Sequence, residues 1–143
     1  MPGVASDAEW QSVLAHRAED DGSRAAAAAR FMAAGVGAAQ VREALSDAGD
    51  ALYQAARRRS PGWAEPFGGT LAVALLAAEV SVFAAHVNSR ASGIRSEAVA
   101  ELLEDYSAVT VAGELGVSRQ KVYEISRSGL RPPYIDHVPW RTP

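Results

Sequence analysis

The run "SRQKVYEISR", residues 118–127, gathers Ser118, Arg119, Gln120, Lys121, Tyr123 and Arg127 within ten positions. Arginine forks onto paired acceptors, and a carboxamide both donates and accepts. Hydroxyl and ammonium groups donate to oxyanions. Such a set is suited to gripping a partner rich in acceptors, not to breaking bonds within one.

No other constellation carries chemistry as well. Ser60 and Ser81 lack the neighbouring base that a nucleophile needs. His16 and His137 have no companions at metal-ligand spacing. The "GVG" at 35–37 lacks the strand and lysine of a phosphate loop. Glu79 and His86 lie seven apart on one helical face. They read as an ionisable pair lining a small-molecule sensing pocket, or as a partly buried pair satisfied by arginine or backbone. Arg57, Arg58 and Arg59 read as a solvated helix end or a second phosphate contact. No catalytic residue, metal site or cofactor is expected, and the chain does not read as an enzyme.

The elements that position residues 118–127 are legible just upstream. "RSEAVAELLEDY" carries Val99, Leu102, Leu103 and Tyr106 at helical spacing. "SAVTVAGELG" is a second short helix and "VSRQKVYEIS" a third. A tight corner between the last two needs a residue with positive φ, and Gly116 supplies it. It needs a small residue where the helices cross, and Ala112 lies one turn before the glycine. Ser107 and Ser118 are placed as N-caps. Val111, Leu115, Val117, Val122 and Ile125 are spaced as an apolar seam. Val122 and Ile125 then point inward, with Ser118, Arg119, Gln120, Tyr123 and Arg127 outward. Glu124 also faces out.

With those features, "SAVTVAGELGVSRQKVYEIS" resembles the helix-turn-helix superfamily of bacterial and phage DNA-binding proteins. "GVSRQKVY" is similar to the start of the recognition helix in the resolvase-invertase and TetR groups. The resemblance is to the module, about 35 residues with the preceding helix. A unit near the C-terminus differs from TetR-like proteins, and the first 90 residues carry no βαβ pattern for a serine recombinase. The resemblance implies that the second helix of the corner enters the major groove. Arginine there can fork onto guanine and glutamine onto adenine, while Ser118, Lys121 and Tyr123 can hold phosphate.

Charge is distributed in keeping with this. The net charge is −3 and the pI near 5.6, which excludes a basic coat over the whole chain. From Ser118 onward there are five basic residues against two acidic, so +3, and the first 117 residues carry −6. Lys121 is the only lysine.

The remainder reads as helices. A capping box at Ser6 and Glu9 opens the first, and Asp20-Asp21-Gly22-Ser23 interrupts it. "RAAAAARFMAAG" is the second. "AAQVREALSDAGDALYQAARRR" is a third, with Val41, Leu45, Ala48 and Leu52 on one stripe. "SPGWAEPFGG" is a loop plugged by Trp63 and Phe67. An apolar helix over about 70–90 carries Val73, Leu76, Val80, Phe83 and Val87, with Leu71, Leu75 and Val82 on another face. Apolar on several faces, it is expected to be buried, in the core or at a dimer interface. "SRASG", ending at Gly93, reads as a joint. The ending "LRPPYIDHVPWRTP" holds four prolines and cannot be regular helix. It is expected to pack back through Ile135 and Val138, with an arm for DNA through Arg131 and Arg141, or for a partner chain, as alternatives.

The expectation is therefore an all-α protein of about six helices. Residues 1–92 form a dimerisation or partner-binding body, 93–129 a three-helix DNA-binding unit and 130–143 a proline-rich tail. The expected activity is sequence-specific binding of double-stranded DNA as a homodimer, as a repressor-like transcriptional regulator. The rival is a protein-interaction module such as an antitoxin or assembly adaptor. Without cysteine there is no disulfide framework, and no basic n-region precedes an apolar h-region. Leu71–Val87 is 17 residues long and interrupted by Glu79 and His86, short of the ~20 apolar residues of a span. A cytoplasmic protein without a membrane helix is expected.

Overall fold

The computed structural model describes residues 6–19 and 21–140. Among them the protein is all-α. The helices are α1 (Asp7–Val13), α2 (Ser23–Ala33), α3 (Ala38–Ser46), α4 (Asp50–Arg58), α5 (Thr70–Asp105), α6 (Ala108–Leu115) and α7 (Arg119–Ser128), with a 3-10 turn at Glu65–Phe67. Two compact units divide the chain. One takes residues up to Ala85 together with those from Ile135. The other takes His86–Tyr134. The first boundary thus falls inside α5, seven residues before the one expected from sequence, and the tail divides between Tyr134 and Ile135.

In the first unit, Ser6 caps α1 by accepting the Glu9 N–H at 3.2 Å. The apolar positions expected along α3, α4 and α5 form the core: Val41, Leu45, Leu52, Leu76 and Phe83 are all buried. Trp10 stacks on Phe31 with centroids 5.9 Å apart. Trp63 and Phe67 are only partly buried, while Ala64 between them is fully so.

The single helix expected over residues 38–59 is two helices. Asp47 causes the break. Its carboxylate accepts the N–H groups of Gly49 and Ala51 at 2.9 and 3.0 Å, the former shared with the Ala44 carbonyl that closes α3 at 2.8 Å. Ala48 and Gly49 both turn left-handed, at φ 55° and 81°. Ala48 therefore leaves the apolar stripe and is exposed.

Glu79 is satisfied by an arginine, one of the readings expected, but through the loop after α1 and together with His16, not with His86. His16 Nε2 lies 2.6 Å from Glu79 Oε2. Arg17 donates to both carboxylate oxygens, at 2.9 and 2.7 Å. His16 and Glu79 are 8% and 2% exposed. Burial pushes the Glu79 carboxyl up, but the hydrogen bonds from His16 and Arg17 and the arginine charge outweigh it and hold it below the usual range. The same bonds raise Arg17. Arg17 also donates to Ser23 Oγ at 2.8 Å, and Arg24 reaches back to the Arg17 and Ala15 carbonyls. The network pins an irregular loop with no ladder of its own.

The apolar helix is not buried on all sides, as its composition suggested. Leu71 is 65% exposed. By length and composition α5 can cross a membrane, and 28% of its most apolar window is buried within the protein. The tail packs back as expected over its described part. Ile135 and Val138 are partly buried, and Trp140 meets the edge of Phe83 at 6.0 Å. Arg141 lies outside the described residues.

In the second unit, the joint expected at Ser89–Gly93 does not exist: α5 runs on to Asp105. Gly93 is buried mid-helix. A Cβ there would lie 2.6 Å from Leu130 Cδ1 and 3.2 Å from Leu130 Cα. The glycine admits the chain leaving α7; it does not end a helix.

Candidate nucleic-acid interface

The corner between α6 and α7 is built as its residue types dictate. Ser107 caps α6 by accepting the Thr110 N–H at 3.1 Å. Gly116 ends it at φ 68°, ψ 33°, and the N–H groups of both Gly116 and Val117 converge on the Ala112 carbonyl. Ser118 caps α7 by accepting the Lys121 N–H at 3.0 Å. Its hydroxyl hydrogen remains able to donate.

Behind the corner, Val99 of α5 packs with Ala108, Val111, Ala112, Val122 and Ile125, and Leu103 and Val117 close the edges. Val122 and Ile125 are 0% and 4% exposed. Leu115, expected in this seam, is 42% exposed. It lines an apolar cleft of the unit with Leu102, Tyr106 and Val111, at the last residue of α6 before the Gly116 cap.

All six candidate contact residues, Ser118, Arg119, Gln120, Lys121, Tyr123 and Arg127, are exposed. They do not share one meridian. At ~100° per residue, Gln120 and Arg127 stand opposite the buried pair, with Tyr123 and Glu124 on either side. Arg119 flanks Tyr123. Lys121 lies beyond Glu124, and its ammonium comes within 3.8 Å of the Glu124 carboxylate, both about half exposed. That pair is too open to hold either side chain in place.

Three residues of α5 fix the far end of α7, two of them, Ser96 and Glu97, not singled out by the sequence and the third, Gly93, expected only as a joint. Ser96, 1% exposed, accepts the Gly129 N–H at 2.6 Å and faces the Ser126 carbonyl at 3.5 Å. Glu97 accepts the Leu130 N–H at 3.2 Å. Gly93 provides the room. Gly93, Ser96, Val99 and Leu103 step along α5 by three and four, so the periodicity that marks Val99 as core also marks Ser96. Beyond α7, the Tyr134 hydroxyl lies 3.4 Å from Ser89 Oγ, and its ring meets His86 edge-on at 5.5 Å.

The unit's charges cancel, with six basic and six acidic residues over 86–134. They are segregated. Glu97, Glu101, Glu104 and Asp105 follow one exposed face of α5, and Arg119, Lys121 and Arg127 lie on α7. Arg131 is exposed just beyond. In the first unit, Arg57, Arg58 and Arg59 form the exposed end of α4. Among the described residues no group of three or more His, Cys, Asp or Glu side chains could hold a metal ion.

Comparison of the chain with protein families, with curated proteins and with solved structures finds no match.

Proposed function

We propose that this protein binds duplex DNA through α7, in the manner of a helix-turn-helix transcriptional regulator, and acts as a repressor-like dimer. The division of α7 carries the reading. Val122 and Ile125 are spent on the core, leaving Arg119, Gln120, Tyr123 and Arg127 as an outward face of guanidinium, amide and phenol. Arginine and glutamine are the side chains that make bidentate contacts to guanine and adenine edges. The corner that presents them is fixed by two serine caps and a left-handed glycine. In the first unit, exposed Leu71, Ala74 and Ala78 on α5 support pairing with a second copy, since small side chains allow close helix approach. A two-fold pair would place two α7 helices on half-sites about one DNA turn apart.

The test is an electrophoretic shift with duplexes from the region upstream of the gene. Retardation of a subset of them supports the proposal. No shift with any of them sinks it.

A second reading, a protein-interaction module, has its own observation in favour. The apolar cleft at Leu102, Tyr106 and Leu115 includes Glu114 in its lining and adjoins the acidic face of α5. That surface repels a phosphate backbone and suits a basic amphipathic segment of another protein.

A further inference from the structure

The first unit holds an open pocket of about 180 Å³ bordered by α3, α4, the 3-10 turn and α5. Its floor is apolar. Leu76 and Leu52 are 2% and 6% exposed, and Phe67 closes one side. Its rim is acidic. Gln40, Glu43 and Asp47 sit at i, i+3 and i+7 on α3 and the residue that follows it, so they share one face. No basic side chain lines it.

Two of the rim groups are fixed in place. Asp47 is held by the Gly49 and Ala51 N–H groups and cannot swing away. Gln40 accepts the Gly37 N–H at 2.9 Å and donates to the Phe67 carbonyl at 3.5 Å. The Glu43 carboxylate is exposed at the mouth. A pre-set carboxylate, a second on the same helix face and an apolar floor select for one ligand type. An anion would meet two like charges. A neutral molecule would gain the apolar floor but no charge attraction to offset desolvation of the carboxylates. The volume lies below the ~300–1,000 Å³ of drug-sized sites, which limits the ligand to a small one.

We propose that this cavity binds a small organic cation. Its ammonium lies against Glu43 and Asp47, and its aliphatic or aromatic body rests on Leu52, Phe67 and Leu76. The site is separate from the α7 surface, and its occupancy is read without DNA, so failure of one proposal leaves the other standing.

The experiment is an amide NMR titration of the full chain with benzylammonium, with benzyl alcohol and benzoate as controls. We expect saturable shifts centred on the Ala44, Leu52, Phe67 and Leu76 amides with benzylammonium. Benzyl alcohol should bind at least about tenfold more weakly and benzoate not at all, by the charge argument above. Glu43→Gln, at an exposed position, should weaken the cation about tenfold while leaving the spectrum folded. Glu43→Lys, which brings its own ammonium to the rim, should abolish binding. Equal binding of the alcohol and the ammonium overturns the proposal. So do shifts scattered over the acidic surface, or a Glu43→Gln affinity equal to that of the parent.

Discussion

Gly93 and Leu130 are in close contact: a Cβ built on Gly93 falls 2.6 Å from Leu130 Cδ1, which can turn aside, and 3.2 Å from Leu130 Cα, which cannot. Helix α5 thus carries a glycine in its interior, which costs about 1 kcal/mol relative to alanine. In exchange, the segment leaving α7 lies flat against α5 and the candidate DNA-binding helix is anchored at its far end.

Gly93→Ala tests that exchange. We predict that the overlap outweighs the gain in helix propensity and destabilises the protein by about 1 kcal/mol. With Leu130→Ala in the background the Cδ1 overlap is gone but the 3.2 Å approach to the residue-130 Cα remains, so the same change should cost less and come close to neutral. Denaturant unfolding of the four variants measures the coupling, and additive effects would refute the contact.

Ser96→Ala removes the acceptor for the Gly129 N–H. We expect a loss of about 1 kcal/mol, because a part-buried N–H is left without a partner. Amide exchange at Gly129 and along the last turn of α7 should accelerate more than exchange in α3. Uniform acceleration would mean that Ser96 matters to global stability alone.

The Glu79 carboxyl is held below its ordinary value of 4.5 in the folded protein. A lowered carboxyl contributes stability that is complete above the unfolded value and is lost as pH falls through the folded one. Glu79→Gln should cost about 3 kcal/mol at neutral pH, toward the low end for a broken buried pair because Arg17 keeps some contact with water. The gap in Tm between parent and variant should narrow as pH drops below about 4.5. A gap independent of pH would contradict the ion-pair account.

Ala48 adopts φ 55°, a left-handed conformation that costs a non-glycine residue about 1–2 kcal/mol. Ala48→Gly removes that strain at an exposed site and should stabilise the fold by about 0.5–1 kcal/mol, net of the extra chain entropy. Thermal unfolding measures it, and a lower Tm would be the contrary result.

What was legible in the sequence follows from the range of the interactions. The corner at Ala112, Gly116 and Ser118 depends on residues a turn apart, so its caps and its left-handed glycine could be assigned from residue types. The split of α7 into Val122 and Ile125 against Arg119, Gln120, Tyr123 and Arg127 is plain helical periodicity. Leu115 shares the face of Ala108, Val111 and Ala112 by spacing, yet it is the last residue of α6 and stays 42% exposed at the helix end. The break at Ala48 was hidden because a side chain, Asp47, makes it. Gly93 read as a joint because glycine breaks helices locally, whereas its reason here is Leu130, distant in sequence. His16 and Glu79 stand 63 positions apart, and no spacing rule connects them.

The central claim is that the outward face of α7 reads bases. The most direct measurement is fluorescence anisotropy with an upstream duplex and with a scrambled one, across salt, for the parent and for Gln120→Ala and Arg119→Ala. The account predicts that parent binding weakens steeply between ~50 and ~200 mM salt. Each substitution should cost ~1–3 kcal/mol on the preferred duplex and leave the scrambled one little changed in the case of Gln120→Ala. Binding indifferent to salt, or equal losses on both duplexes for Gln120→Ala, would contradict it.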